Sequence, residues 1–371
     1  MQQTTELTPP RSARSSEGTA NPGRFLLALV ALIVLFVLLW LGFEFLKTTT
    51  APQVVIALFA IVWGVGGVAV LFTLANLLVE SLSNKWRDRI QPYVFVGPAV
   101  FFLGMFLFLP TLQTLYQSFF DASSTDFVGL ANFSAVFTDR QMQEAFFNNL
   151  IWLVVGTGLC VIFGLLIAVL ADRSRFESIA KALIFLPMAI SFVGAGVIWR
   201  FIYAYAPPDQ PQIGVLNAIS VSLGGQPQAW LTIAPWNTFF LIVVLVWIQT
   251  GFAMVIFSAA LKGVPGELLE AARLDGASEI QSFFRVIIPY IQGTIITVTT
   301  TIAIFTLKIF DVVIVMTGGQ YGSSVVATQF YRQFFTNRNF GYGSAIAIVL
   351  FLAVIPVMYY NLRQLRKQEG F

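Results

Sequence analysis

The strongest constraint on this chain is a series of long apolar stretches, nearly free of Asp, Glu, Lys and Arg, each of a length that crosses a lipid bilayer as a helix. About 20 mostly apolar residues are needed for one crossing. Eight stretches meet that length, at 25–43, 54–79, 92–115, 145–171, 182–203, 237–261, 293–316 and 343–362. Only 11% of the residues are charged, against roughly 25% in soluble domains, so the chain lacks the charge to wet a globular surface. The prediction is an all-α integral membrane protein with eight transmembrane helices.

Composition also removes whole classes of chemistry. There is no histidine, so the chain alone cannot build a Ser-His-Asp triad, a zinc-protease motif or a rhomboid-like dyad. The single cysteine, Cys160, lies in an apolar run and allows neither an intramolecular disulfide nor a thiolate metal site. No metal and no cofactor are expected, and the chain is not read as an enzyme. The net charge of +3 is read as a record of orientation, with no nucleic-acid partner implied.

With the N-terminus inside and eight crossings, each of the five cytoplasmic segments receives three basic residues. They are Arg11, Arg14 and Arg24; Lys85, Arg87 and Arg89; Arg173, Arg175 and Lys181; Lys262, Arg273 and Arg285; and Arg363, Arg366 and Lys367. This asymmetry places both termini in the cytoplasm. Residues 1–22 carry too little apolar surface to fold and read as a disordered cytoplasmic tail. The first apolar run exceeds a signal-peptide core, and nothing like a small-residue cleavage site follows it before Lys47. Long loops at 116–144, 204–236 and 317–342 fall outside, where a solute or an exported partner arrives.

The cytoplasmic loop at 264–289 reads as two short helices at a bend. Pro265 suits the first turn of one helix and Gly276 its left-handed end, while Ser278 and Gln281 form a capping box for the next. Pro289 then disturbs the start of the seventh span. The first helix combines Leu268, Leu269 and Ala272 with Glu267, Glu270 and Arg273. A small amphipathic helix held between two spans suits the groove of a cytoplasmic partner; the Lys enrichment of a helix lying on lipid is missing.

Glu270-Ala271-Ala272, followed by Asp275-Gly276-Ala277 and by Ile287-Ile288-Pro289, resembles the EAA loop of ATP-binding-cassette (ABC) importer permeases. Further landmarks resemble the carbohydrate-uptake branch in order: Phe127-Val-Gly-Leu-Ala-Asn-Phe133, Asn148-Asn149, Phe185-Leu-Pro187, Trp247 with Gly251, Lys308-Ile-Phe-Asp311 before Thr317-Gly-Gly319, and Phe340-Gly-Tyr-Gly-Ser-Ala345. The match covers about 90–365 and is similar to the larger maltose-type subunit, nearest to α-glucoside or glucosylglycerol permeases. Gln320 and Leu269 depart from the pattern, at positions where Gly-Pro and Tyr are frequent.

The resemblance implies a two-span extension at 23–89 and a six-span permease core at 90–371. It implies a permease subunit of an ATP-driven, binding-protein-dependent sugar importer in the bacterial inner membrane. The implied partners are a second permease subunit, an ATPase dimer, an extracytoplasmic solute-binding protein and a sugar or sugar-like solute. Glu267, Glu270, Ala271, Ala272, Asp275 and Gly276 would contact the ATPase. No lysine follows a glycine, so the phosphate loop of an ATPase is missing here and hydrolysis falls to another chain.

Polar residues within spans are costly and therefore informative. Lys308 and Asp311 stand at i and i+3, spaced for a salt bridge on one helical face, which either fixes packing or lines a solute path. The threonines of the seventh span, including Thr301, read mostly as packing residues bonded to their own backbone. Thr301, Phe305 and Lys308 share a face, and the resemblance places sugar contacts there and on span six, at Gln249, Thr250 and Phe252. Trp247 reads as core. A secondary transporter or channel for a neutral polar solute is the alternative; it predicts an internal repeat or further buried carboxylates, and neither is evident.

Overall fold

The computed structural model describes residues 21–368, with side chains up to Arg363; the tail predicted at 1–22 lies outside them except for Asn21 and Pro22. The regular secondary structure of the described residues is all helical, with a single isolated bridge between Phe120 and Phe127 and no strand. The long helices are α1 (Pro22–Thr48), α2 (Gln53–Glu80), α3 (Asn84–Gln117), α5 (Arg140–Asp172), α9 (Trp236–Lys262) and α15 (Phe340–Gln368). The short ones are α4 (Ala131–Thr138), α6 (Glu177–Ala189), α7 (Phe192–Ile202), α8 (Val215–Ser222), α10 (Gly266–Leu274), α11 (Glu279–Tyr290), α12 (Gln292–Leu307), α13 (Asp311–Met316) and α14 (Val326–Tyr331).

Among the described residues six helices are long and apolar enough to cross a membrane singly, and the predicted fifth and seventh spans are each a bent pair of helices. Helices α6 and α7 meet at 101°, and α11 and α12 at 70°. Pro187 and Ser191 explain the first bend: the proline sits in a 3₁₀ turn, and Ser191 Oγ then accepts from Gly194 N at 3.0 Å to start α7. At the second, Pro289 precedes a turn at Ile291, as the sequence predicts.

The chain divides into two compact units, up to 111 and from 112 onward. In the first, α1 and α2 are antiparallel neighbours with an edge-on Phe45–Phe59 contact, and Phe72 of α2 stacks on Phe95 of α3. The second unit is built around α9, which buries more of its length than any other candidate span. Its core holds Leu241, Leu245, Met254 and Phe257 against Trp152 and Cys160 of α5 and Val298 and Ile302 of α12.

Close helix approach replaces hydrophobic drive where lipid is the solvent. A Cβ added at Gly164 of α5 would stand 2.4 Å from Ala253 Cβ, and one at Gly251 of α9 would stand 2.6 Å from the Ile184 carbonyl oxygen and 2.8 Å from Phe185 Cα. Both α5 and α6 therefore touch α9 backbone to backbone. Two landmarks far apart in sequence, Phe185–Pro187 and Gly251, are the two halves of one such contact.

Candidate functional site

The segment between α9 and α11 has the predicted two-helix form. Pro265 is the N-cap, one residue earlier than predicted, and Gly266 opens α10. The helix ends in a Schellman arrangement: Gly276 has φ +79°, Gly276 N donates to Arg273 O at 3.0 Å, and Ala277 N donates to Ala272 O at 2.9 Å. Ser278 and Gln281 cap α11 reciprocally, through Gln281 N to Ser278 Oγ at 3.3 Å and Ser278 N to Gln281 Oε1 at 2.9 Å.

One prediction about this helix is corrected. Leu269 is half-buried and Ala272 buried, so they fasten α10 to its own chain, whereas Leu268 and Leu274 are presented outward. Glu267, Glu270, Ala271, Asp275 and Gly276 are all exposed around them. The outward face is therefore apolar at two leucines and acidic at its rim, the composition of a docking helix.

Behind this segment lies an ionic cluster that joins three helices. Lys181 of α6 stands 2.5 Å from Asp172 Oδ1 at the end of α5 and 2.6 Å from Glu177 Oε1. Lys181 also donates to Ser258 Oγ of α9, which donates to Asp172 Oδ1 at 2.7 Å; Lys262, the last residue of α9, pairs with Glu177. The Lys181 and Asp172 side chains are 18% and 16% exposed, so this cluster is far less solvated than the Arg173–Glu279 pair on the surface. In the sequence Lys181 and Lys262 register only as orientation charges, and nothing singles out Asp172 or Glu177.

On the candidate path, the structure separates Lys308 from Asp311. Helix α12 ends at Leu307, Lys308 is its C-cap, and α13 begins at Asp311. No ion pair joins the two among the described residues, so the predicted shared face and salt bridge do not exist. Each charge instead complements the helix end on which it sits, the cation at a C-terminus and the carboxylate at an N-terminus. Thr301 half-buries its hydroxyl and donates to Thr297 O at 2.8 Å, while Phe305 and Lys308 are exposed and Asp311 is half-buried.

The span-six residues lie on an unbroken helix. Gln249 is buried without a side-chain hydrogen bond among the described residues, and Phe252 packs against the core. Thr250 Oγ1 is buried and unpaired, facing a cavity of about 350 Å³ that it shares with Trp247, Leu183 and Pro187. Helices α9 and α12 pack together, but no hydrogen bond or ring contact links Gln249 or Phe252 to Thr301, Phe305 or Lys308.

Asn149 reaches the break at 308–310 and its neighbour Asn148 the turn after α13; in the sequence both stand only as landmarks. Asn149 Nδ2 donates to Leu307 O at 3.2 Å, and its Oδ1 accepts from Val326 N at 2.8 Å. Asn148 Nδ2 donates to Gly322 O and Ser324 O, both at 2.8 Å, and Asn237 Nδ2 donates to Tyr321 O at 2.7 Å. These buried amides satisfy backbone groups at the end of α12, in the turn after α13 and at the start of α14. In the loop after α3 the Asp121 pKa is lowered to about 2, first by the Ser123 hydroxyl and then by the Thr125 amide.

Comparison with known proteins places this arrangement. The osmoprotective compounds uptake permease protein GgtC of Synechocystis sp. is 54% identical over 276 residues, 74% of this chain and 99% of that protein. The alpha-glucoside transport system permease protein AglF of Rhizobium meliloti is 45% identical over 332 residues, 86% of this chain and 99% of that protein. A crystallised bacterial ABC transporter involved in import of the acidic polysaccharide alginate has a chain of the same fold, with TM-score 0.65, 21% identity and coverage of 76% and 98%. Residues 160–368 match the model of one family, and the chain belongs to it: it is a binding-protein-dependent transport system inner membrane component.

Proposed function

We propose that the chain is the permease subunit of an ABC importer that carries α-glucosides or glucosylated osmoprotectants, paired with a second permease and driven by a separate ATPase dimer. The observation that carries this reading is the α10–Gly276–α11 segment, an acid-rimmed leucine face held rigidly by two caps between membrane helices. In this reading α10 docks in the ATPase, with Glu267, Glu270 and Asp275 at the contact and Gly276 setting the bend. Closure of the ATPase then moves α9, and with it the path that Gln249, Thr250, Phe252, Thr301, Phe305, Lys308 and Asp311 border. The solute class is supported by the names of the two relatives.

The same reading makes each bent pair one crossing, giving eight passes with both termini cytoplasmic. Residues 23–89 form an extension and 90–371 the transport core, so removal of 1–80 leaves ATPase docking intact. The test is purification of the complex with its ATPase, followed by uptake of trehalose, sucrose and glucosylglycerol into proteoliposomes with the binding protein present. Uptake of at least one, lost in Glu270→Lys with insertion unchanged, is expected; coupling equal to wild type in Glu270→Lys would overturn the docking role.

A further inference from the structure

At the end of α9 opposite α10, about 40 Å away by the rise of a 27-residue helix, lies a second and larger cavity of about 530 Å³. Its walls come from the end of α7, from the loop before α9, and from the turn after α13. That volume is within the range of small-molecule sites.

Three lining residues have a chemistry that packing does not explain. Tyr321 has φ +56°, a left-handed conformation that is an outlier for a bulky side chain. It is kept there by the bond from Asn237, itself fully buried, to the Tyr321 carbonyl oxygen. The ring so placed remains 52% exposed over the cavity, so the strained backbone serves no burial. Arg200 is exposed, oriented by a 3.3 Å hydrogen bond to Val315 O, and in no ion pair among the described residues. Tyr205 adds a second phenol at 47% exposure. Among the described residues no carboxylate lines the space. The hydroxyls of Tyr203, Thr232 and Thr317 are already bonded, to Phe240 O, Ala229 O and Val313 O, so the polar groups still available are the remaining guanidinium N–H groups and two phenols.

From this geometry we propose that the cavity is an outer subsite for a glycosyl ring of the imported solute, which rests on the sugar reading above. The ring stacks on Tyr321 and Tyr205, and Arg200 donates to neighbouring hydroxyls, the combination of apolar face and fixed donors that a polyhydroxylated ring requires. The subsite receives solute leaving the binding protein before it reaches the interior path.

The experiment uses the complete transporter in proteoliposomes with its binding protein and whichever of trehalose, sucrose or glucosylglycerol the wild type carries best. Tyr321→Gly removes the ring and relieves the backbone, so its folding is preserved; Tyr321→Phe keeps the ring; Arg200→Gln removes the charge. Solute moved per ATP hydrolysed should fall about five- to tenfold in Tyr321→Gly and Arg200→Gln, the loss of one stack or one charged hydrogen bond, and stay near wild type in Tyr321→Phe. The concentration of binding protein that half-saturates ATPase stimulation should not move. An unchanged solute-to-ATP ratio in both variants overturns the subsite, and a raised half-saturating concentration with an unchanged ratio makes the surface a binding-protein contact. An effect of Arg200→Gln seen only in vesicles with anionic lipid assigns the arginine to a headgroup. If wild type carries none of the three sugars, the sugar reading fails first, and the ligand class of this cavity with it.

Discussion

Replacing Lys181 by Met would remove the one cation that lies between Asp172 and Glu177 while keeping most of the side-chain volume. At an effective dielectric near 20, the Lys181–Asp172 contact at 2.5 Å has a gross Coulomb energy of about 6–7 kcal/mol, but the net value is far smaller because both charges have been largely withdrawn from water. Removing one partner of a fully buried pair costs about 3–5 kcal/mol. Here the side chains keep roughly one sixth of their exposure and Glu177 keeps Lys262, which reduces the figure to about 2–3 kcal/mol. Most of that arises at Asp172, whose Oδ2 is already buried without a partner. Asp172→Asn alone should cost about 1 kcal/mol, since the amide oxygen still accepts from Ser258. In the double variant no uncompensated charge remains, so its cost should fall below the sum by about 1–2 kcal/mol. Cys160, the sole cysteine and fully buried in α5, supplies the assay: heating in the presence of a thiol-reactive dye reports the temperature at which α5 opens. Lys181→Met should open on the order of 5 °C lower than wild type. Strict additivity of the two single changes, or a wild-type melting profile for Lys181→Met, would refute the cluster as a structural tie.

Asn149→Ala should unpair both the Leu307 carbonyl and the Val326 amide, lowering stability by about 2–4 kcal/mol in the same thiol assay, whereas Leu268→Ala on the exposed face of α10 should leave the melting temperature within a degree or two. Gly276→Ala should cost about 1 kcal/mol at its positive φ yet retain ATPase docking, and Gly276→Pro should abolish transport-stimulated ATP hydrolysis, both read by co-purification and phosphate release. Reporter fusions near residue 10 and at the C-terminus should both behave as internal; an external signal from either would remove one pass from the eight-pass topology.

Which of these features a reader of the sequence sees depends on how local their causes are. The six unbroken spans follow from length and apolarity, and the caps of α10 and α11 follow from Gly276, Ser278 and Gln281, because each of those signals acts within one turn. The bend between α6 and α7 is announced by Pro187. The break at 308–310 is announced by nothing local: Lys308-Ile309-Phe310 contains neither proline nor glycine, and its cause is an amide donor 158 residues away. A helical wheel drawn through it joins Lys308 to Asp311 although the helix has ended. Wheels also fail across the π-helical turns at 104–108, 152–156, 283–287 and 332–336, each of which advances the faces beyond it. Pairing of Lys181 with Asp172 required α5, α6 and α9 to converge, and the 530 Å³ cavity required the loop before α9 to meet the turn after α13; neither is a property of spacing.

The backbone contacts at Gly164 and Gly251 carry a consequence for how such a permease diversifies. At Gly164 and Gly251 α5 and α6 meet α9 through main chain and very small residues, so cavity-facing side chains of α9 such as Thr250, outside the Leu241–Leu245–Met254–Phe257 core, have no share in holding the bundle together. A lineage acquiring a new solute can therefore exchange those side chains one at a time without first finding a compensating partner on a neighbouring helix. Drift at the two glycines would meet the opposite fate, since even a methyl group there must displace a whole helix. Selection on cargo and selection on assembly thus fall on separate sets of positions along one helix.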